Sequence, residues 1–285
     1  MALPQSDPDR YTHVQVAPGV ELATIPRLAG NDSVPFVLVH GLASNARLWD
    51  GVGERLQMAG HDSVAVDQRG HGRSAAATCD FDFATLSDDL AAVIRASFNR
   101  PVVLAGQSWG GNVVVEAARH HPDLVAGVVC VDGGFLKLSE SFDSLDQALT
   151  ALHPPPLAGT PLTVIRERMT SHFADFPPEG VEGQLANFEV RDDGTVKPWL
   201  SLDKHLEIIR RMWEHDPFSA AAELTVPVLV LAVGDPDSPR GELVSRLVAA
   251  APDGRAEWMD AHHDVHAQEP DAVATLMTAF AGGLA

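Results

Sequence analysis

The residues of this chain best suited to chemistry are Gly106-Gln107-Ser108-Trp109-Gly110. The pattern Gly-x-Ser-x-Gly arises readily by chance, so its flanks decide its meaning. Here it directly follows the buried-strand run PVVLA and directly precedes the helical run NVVVEAARHH. A sharp strand-to-helix turn holds its middle residue in a strained conformation and raises that side chain above the sheet. The flanking glycines fit because a Cβ would strike the neighbouring strand and helix. A hydroxyl so placed, at a helix N-terminus that favours developing negative charge, is a nucleophile in need of a base. The competing reading is a structural serine in a tight turn.

The elements that must position this turn alternate along the chain. Thr12–Val16 and Val20–Ile25 flank Pro18-Gly19 as a hairpin. Val34–Val39, Ser63–Val66, Pro101–Ala105 and Val125–Val131 are short apolar runs that suit strands buried on both faces. Between them Arg47 to Met58, Phe83–Phe98 and Asn112–His120 have helical periodicity. Val226–Val233, Gly241–Ala250, Arg255–Met259 and Pro270–Phe280 resume the rhythm as strand, helix, strand and helix. Such alternation implies an α/β fold with right-handed crossovers and a mostly parallel sheet.

The rhythm breaks between about 136 and 223. That stretch holds Pro154-Pro155-Pro156, a helix over Leu162–Phe173, a hairpin over Asn187–Leu200 turning at Asp192-Asp193-Gly194, and an amphipathic helix over Ser201–Trp213. It reads as an insertion folded over the sheet, so residues 1–135 and 224–285 form the core and 136–223 a mainly helical lid.

Composition narrows the partners. The 285 residues carry a formal net charge of -19, and such a surface repels nucleic-acid phosphates and anionic membranes. The acidic residues are dispersed and read as a solvated surface. No apolar stretch approaches membrane-spanning length, and MALPQSDPDRY lacks the pattern of a signal peptide, so a cytoplasmic protein is expected. Cys130 lies in an apolar run as a small buried hydrophobe. Cys79 lies in a polar loop, and no disulfide framework is indicated.

Several motifs together resemble the α/β-hydrolase superfamily over nearly the whole chain. His40-Gly41-Leu42 ends the third strand, Asp67-Gln68-Arg69-Gly70-His71-Gly72-Arg73-Ser74 follows the fourth, and Gly106–Gly110 is the nucleophile elbow. Gly234 to Asp237 gives Gly-x-x-Asp after a late strand. His263 stands seven residues before Pro270 in His-Asp-Val-His-Ala-Gln-Glu-Pro. The resemblance implies an eight-stranded, mostly parallel sheet with helices on both faces. It implies a triad of Ser108, Asp237 and His263, with backbone N–H groups of Leu42 and Trp109 as oxyanion donors. His262 and His266 compete for the base, and their spacing also suits a metal, but no third ligand accompanies them. Asp235 and Asp132 compete for the acid, Asp132 because it ends the sixth strand. His71 and Arg69 read as structural, holding the sheet edge through backbone turns and an Asp67–Arg69 interaction.

The indole of Trp109 either lines the pocket or packs in the core. Phe135 is expected at the pocket wall. Phe173, Phe176, Trp199, Trp213, Met169 and Met212 are candidates for its roof. The expected activity is hydrolysis of a carboxylic ester, lactone or thioester of a small, largely apolar substrate through an acyl-serine. No metal or organic cofactor is implied, because no phosphate-binding glycine loop with its lysine is present. The superfamily resemblance leaves three alternatives: a carbon–carbon bond hydrolase of vinylogous diketones, a cofactor-free lyase or perhydrolase, and a receptor with a vestigial triad.

Overall fold

The computed structural model describes residues 10–77 and 80–284. The leader reading of the first nine residues and the reading of Cys79 lie outside the described residues.

The chain opens with the hairpin β1 (Thr12–Ala17) and β2 (Val20–Arg27). Gly19 turns it at φ 73°, a conformation glycine adopts without cost. Then follow β3 (Phe36–Val39), α1 (Asp50–Met58), β4 (Ser63–Val66), α2 (Phe83–Ser97), β5 (Val102–Gln107), α3 (Trp109–His120) and β6 (Val125–Val131). The chain between β6 and the next sheet strand forms α4 (Leu138–Ser141), α5 (Leu145–Ala151), α6 (Leu162–His172) and α7 (Pro178–Leu185). It continues through β7 (Phe188–Val190), β8 (Val196–Pro198), α8 (Leu202–Glu214) and α9 (Pro217–Ala222). The core closes with β9 (Val228–Val233), α10 (Pro239–Ala250), β10 (Gly254–Met259), α11 (Val265–Gln268) and α12 (Pro270–Gly282).

Eight strands form one sheet in the order β1-β2-β4-β3-β5-β6-β9-β10, and β7 pairs with β8 separately. The β1–β2 and β2–β4 pairs are antiparallel; from β4 to β10 every pair is parallel. Strand alternation divides the core in two. Val37, Val39, Val102, Leu104, Val128 and Cys130 face α2, α3 and α10. Phe36, Leu38, Val103, Ala105, Val129 and Val131 face Trp49, α1 and α12. Strands covered on both faces need no polar alternation, which is why they read as unbroken apolar runs. Cys130 is a free, buried thiol.

The expected helix at Leu162–Phe173, the hairpin and the helix at Ser201–Trp213 match α6, β7–β8 and α8. The short helices α4, α5, α7 and α9 have no counterpart in the sequence reading. At four to eight residues they are too brief for a hydrophobic period to show. Among the described residues, no helix is long and apolar enough to cross a membrane.

Candidate active site

The parallel strands end at one edge of the sheet, and there β5 passes into α3 at Ser108. Ser108 has φ 53° and ψ -124°, a region L-residues rarely occupy. Its N–H donates to the Val131 carbonyl at 3.0 Å, and its carbonyl accepts from the Gly111 N–H at 2.9 Å. The glycines on either side are forced. A Cβ on Gly106 would lie 2.1 Å from the Gly110 carbonyl oxygen, and one on Gly110 would lie 2.4 Å from that of His40. Of four non-glycine residues with positive φ among the described residues, Ser108 and Asp132 directly follow β5 and β6, and Ala43 lies in the loop after β3. Backbone strain of this kind costs about 1–3 kcal/mol per residue and collects at functional sites.

Asp132 follows β6, one strand from the serine. The next residue, Gly133, packs so closely that a Cβ there would come within 2.1 Å of the Ser108 carbonyl oxygen. The Asp132 carboxylate accepts from His263 Nδ1 at 2.5 Å and from Arg240 Nη2 at 2.8 Å, both at Oδ2. Its Oδ1 accepts from the Val233 N–H at 3.2 Å. Burial alone would raise this carboxyl's pKa, but bonds and charges from His263 and Arg240 outweigh it and hold the group below the usual carboxylate range. With Nδ1 donating, a neutral His263 keeps Nε2 free as a base.

The expectation for Asp237 is thereby corrected. Asp237 is exposed on the loop after β9, where its N–H donates to Asp235 Oδ1 at 2.9 Å. The loop delivers Arg240 to the site instead. The rival bases separate cleanly too. His262 is exposed on the turn, whereas His266 is fully buried against Trp49 with its pKa pushed down to about 4 by burial.

The His263 loop is fixed from below. Gln107 Nε2, beside Ser108, donates to the His263 carbonyl at 3.2 Å and to Asp264 Oδ1 at 3.3 Å. Gln184 of α7 donates to Asp264 Oδ2 at 2.7 Å.

On the other side, the loop after β3 carries Leu42. Two neutral histidines shape it. His40 Nδ1 donates to the Gly41 carbonyl at 2.7 Å, and its Nε2 accepts from the Gln68 N–H at 3.0 Å. His71 Nδ1 donates to the Arg69 carbonyl at 3.0 Å, and its Nε2 accepts from the Ala43 N–H at 3.2 Å. Burial pushes the pKa of His71 down to about 4 and that of His40 well below its ordinary value. Both rings therefore act as fixed acceptors. Among the described residues, the N–H groups of Leu42 and Trp109 meet no backbone acceptor; Trp109 stands in the first helical turn, where none exists within the helix.

The expected Asp67–Arg69 interaction is replaced. Arg69 grips Asp89 of α2 with two bonds of 2.7 Å. Asp67 instead accepts the backbone N–H groups of Ala46 and Arg73 at 2.7 and 2.8 Å, tying the β3 and β4 loops together.

The aromatic candidates divide. The Trp109 ring is buried in the core beside His71, with ring centres 5.7 Å apart. Phe135 is fully buried beneath the Arg240 guanidinium, 4.9 Å from the ring centre, so it is core rather than pocket wall. Trp213 is half-buried against the main core, and Met212 is part of it. Phe173, Phe176 and Met169 pack together on Leu48. Trp199 alone of these borders a cavity beside the Leu42 loop. That cavity, about 430 Å³, is lined by Ala43, Ser44, Pro155, Phe188, Trp199 and Leu202. Arg240 and Gln107 were given no role in the sequence reading because nothing in their local pattern signals a contact that only the sheet creates, whereas His71, read as structural, does hold its loop through Arg69 and Ala43.

Comparison with known proteins agrees with this architecture. A family model described as alpha/beta hydrolase fold matches residues 34–186. A 2-(acetamidomethylene)succinate hydrolase of Mesorhizobium japonicum is 30% identical over 224 residues, 77% of this chain and 74% of that protein. A non-heme chloroperoxidase of Streptomyces lividans is 29% identical over 214 residues, 70% of this chain and 73% of that protein. The crystal structure of an E-2-(acetamidomethylene)succinate hydrolase superposes with a TM-score of 0.78 at 22% identity, covering 95% of this chain and 98% of the other. The chain belongs to the α/β-hydrolase family of enzymes.

Proposed function

We propose that the protein is a serine hydrolase that opens a carboxylic ester, lactone or thioester of a small substrate through an acyl-Ser108 intermediate. The observation that carries this reading is the strained Ser108 turn standing one strand from a carboxylate–imidazole pair. His263 Nε2 takes the hydroxyl proton as Ser108 Oγ attacks the carbonyl, then returns it to the leaving group. Asp132 holds the Nδ1–H tautomer and stabilises the imidazolium. The N–H groups of Leu42 and Trp109 receive the tetrahedral oxyanion, each contributing about 2.7–4 kcal/mol. Water, activated by the same imidazole, then releases the acyl group.

In this reading residues 136–223 are a lid, and the apolar cavity beside Ala43 and Ser44 takes the substrate's carbon skeleton. The free buried thiol of Cys130 and the charge of -19 are in keeping with a cytoplasmic setting. The test is labelling by a fluorophosphonate and turnover of short p-nitrophenyl esters, both absent in Ser108→Ala. A wild-type protein that stays unlabelled and leaves such esters intact overturns the reading.

One observation favours a second reading. The substrate in the relative's name, 2-(acetamidomethylene)succinate, has an amide and two carboxylates rather than an ester. The same serine and histidine acting on an acylated enamine are distinguished by turnover of that compound against a p-nitrophenyl ester.

A further inference from the structure

A second cavity, about 300 Å³, adjoins the first, and Phe188 and Trp199 border both. It also continues the same loop: Ala43 and Ser44 line the first cavity, and Asn45 and Arg47 line the second. Its walls are cationic. Arg10, Arg47, Arg73 and Arg166 all border it, in a chain with 39 acidic and only 20 basic residues.

The neighbouring carboxylates do not balance these charges. Asp50 is buried and shared by three guanidinium groups, at 2.8 Å from Arg10, 2.6 Å from Arg27 and 3.3 Å from Arg47. Arg166 pairs with Glu182, and Glu189 pairs with Lys197 at 3.6 Å. Asp67 is occupied by two backbone N–H groups. Arg73 lies 5.2 Å from the centre of the Trp199 ring, and among the described residues no carboxylate bonds its guanidinium. Arg10, Arg27, Arg47, Arg73, Arg166 and Lys197 thus face Asp50, Asp67, Glu182 and Glu189, which leaves positive charge in a part-buried concavity on an acidic protein. Guanidinium forks in such a place match a planar carboxylate.

We propose that this cavity is a subsite for a carboxylate carried by the substrate, at the end remote from the carbonyl that Ser108 attacks. The proposal rests on the serine-hydrolase reading and adds the substrate class: an acyl compound with an apolar middle and an anionic end.

The experiment compares kcat/KM for p-nitrophenyl hemiesters of glutarate and adipate with that for neutral p-nitrophenyl valerate. The expected ratio favours the hemiesters, falls by about tenfold in Arg73→Gln and is largely kept in Arg73→Lys, the change residing in KM. Glutarate itself should compete with the neutral ester. In Ser108→Ala, calorimetry should detect glutarate, and the added Arg73→Gln change should weaken its binding. Turnover of neutral esters with the same ratio in all three proteins overturns the subsite while leaving the hydrolase intact. Glutarate that binds and stimulates rather than competes also overturns it, by making the cavity an effector site. Glutarate binding lost with Arg73, in a protein that never turns over an ester, keeps the anion site but removes the hydrolase on which it rests.

Discussion

Replacing Asp132 by Ala separates the two candidate acids. The substitution deletes the acceptor 2.5 Å from His263 Nδ1, so the imidazole loses both its tautomer lock and the charge that stabilises its protonated form. Loss of the acid alone from a serine-hydrolase triad costs about ten-thousand-fold in kcat. At 1.36 kcal/mol per decade this is about 5.4 kcal/mol of barrier. A separate cost falls on folding. The Val233 N–H loses its acceptor, Arg240 keeps only the backbone carbonyl, and alanine inherits φ 45°, together about 2–4 kcal/mol. A thermal melt at the assay temperature shows whether the variant is folded when kcat is measured on a p-nitrophenyl ester. Asp237→Ala is the control. Its side chain is exposed, so its kcat should stay within about twofold of wild type. Folded Asp132→Ala that keeps a tenth of the activity, or Asp237→Ala that loses a thousandfold, refutes the assignment.

Two further expectations concern stability. Ser108→Gly and Ser108→Ala both remove the hydroxyl, but only glycine relieves the strain at φ 53°, so Ser108→Gly should be more stable by about 1 kcal/mol in urea denaturation, and equal midpoints would contradict the strain. Acidification should destabilise the fold. Burial depresses His40, His71 and His266, the latter two to about 4, so as pH falls below their ordinary value the unfolded chain takes up protons that the folded chain refuses. Asp67, raised to about 6 by burial, works the other way, because the folded chain protonates it first. With His205 likewise depressed and Asp89 likewise raised by burial, four imidazoles against two carboxyls leave about two protons, or ~3 kcal/mol lost per pH unit between about pH 6 and 4.5. Urea midpoints that stay level or rise between pH 6 and 5 would count against this.

The core was legible because each of its elements has a local cause. A strand buried on both faces must be continuously apolar, and a helix packed on a sheet must show its stripe, so Ser63–Val66, Val125–Val131 and α12 stand in the sequence at nearly their structural bounds. The elbow was legible for the same reason, since Gly106 and Gly110 are dictated by carbonyls next to them in space. What was not legible depends on which loop ends face one another. The carboxylate partner of His263 was misplaced because Asp132 and Asp237 both follow a strand at the same sheet edge. Which of them meets His263 is decided by strand order and by the bond that the ring makes, neither of which a local pattern encodes. Phe135 was misplaced because a residue just past a strand can point into the core as easily as into a pocket. The contact of Arg69 with Asp89 spans a loop and a helix 20 residues apart, which no local pattern encodes.

The position of Asp132 also explains what the loop after β9 does. β6 lies between β5 and β9, so a carboxylate at its end is one strand from Ser108, while the end of β9 is two. Strand spacing of about 4.8 Å makes the first the shorter reach for an imidazole that must also meet the serine. Once Asp132 takes that position, the β9 loop no longer needs an inward carboxylate, and Asp235 and Asp237 point their chemistry at solvent and at the turn itself. Three residues further on, Arg240 returns to the site and donates to the side chain and the carbonyl of Asp132. A carboxylate so anchored has Val233 on one oxygen and Arg240 beside His263 on the other, which leaves it one orientation. The strain at φ 45° of Asp132, like that at Ser108, is then held by contacts that over-determine it, and the two residues are joined through the packing of Gly133 on Ser108.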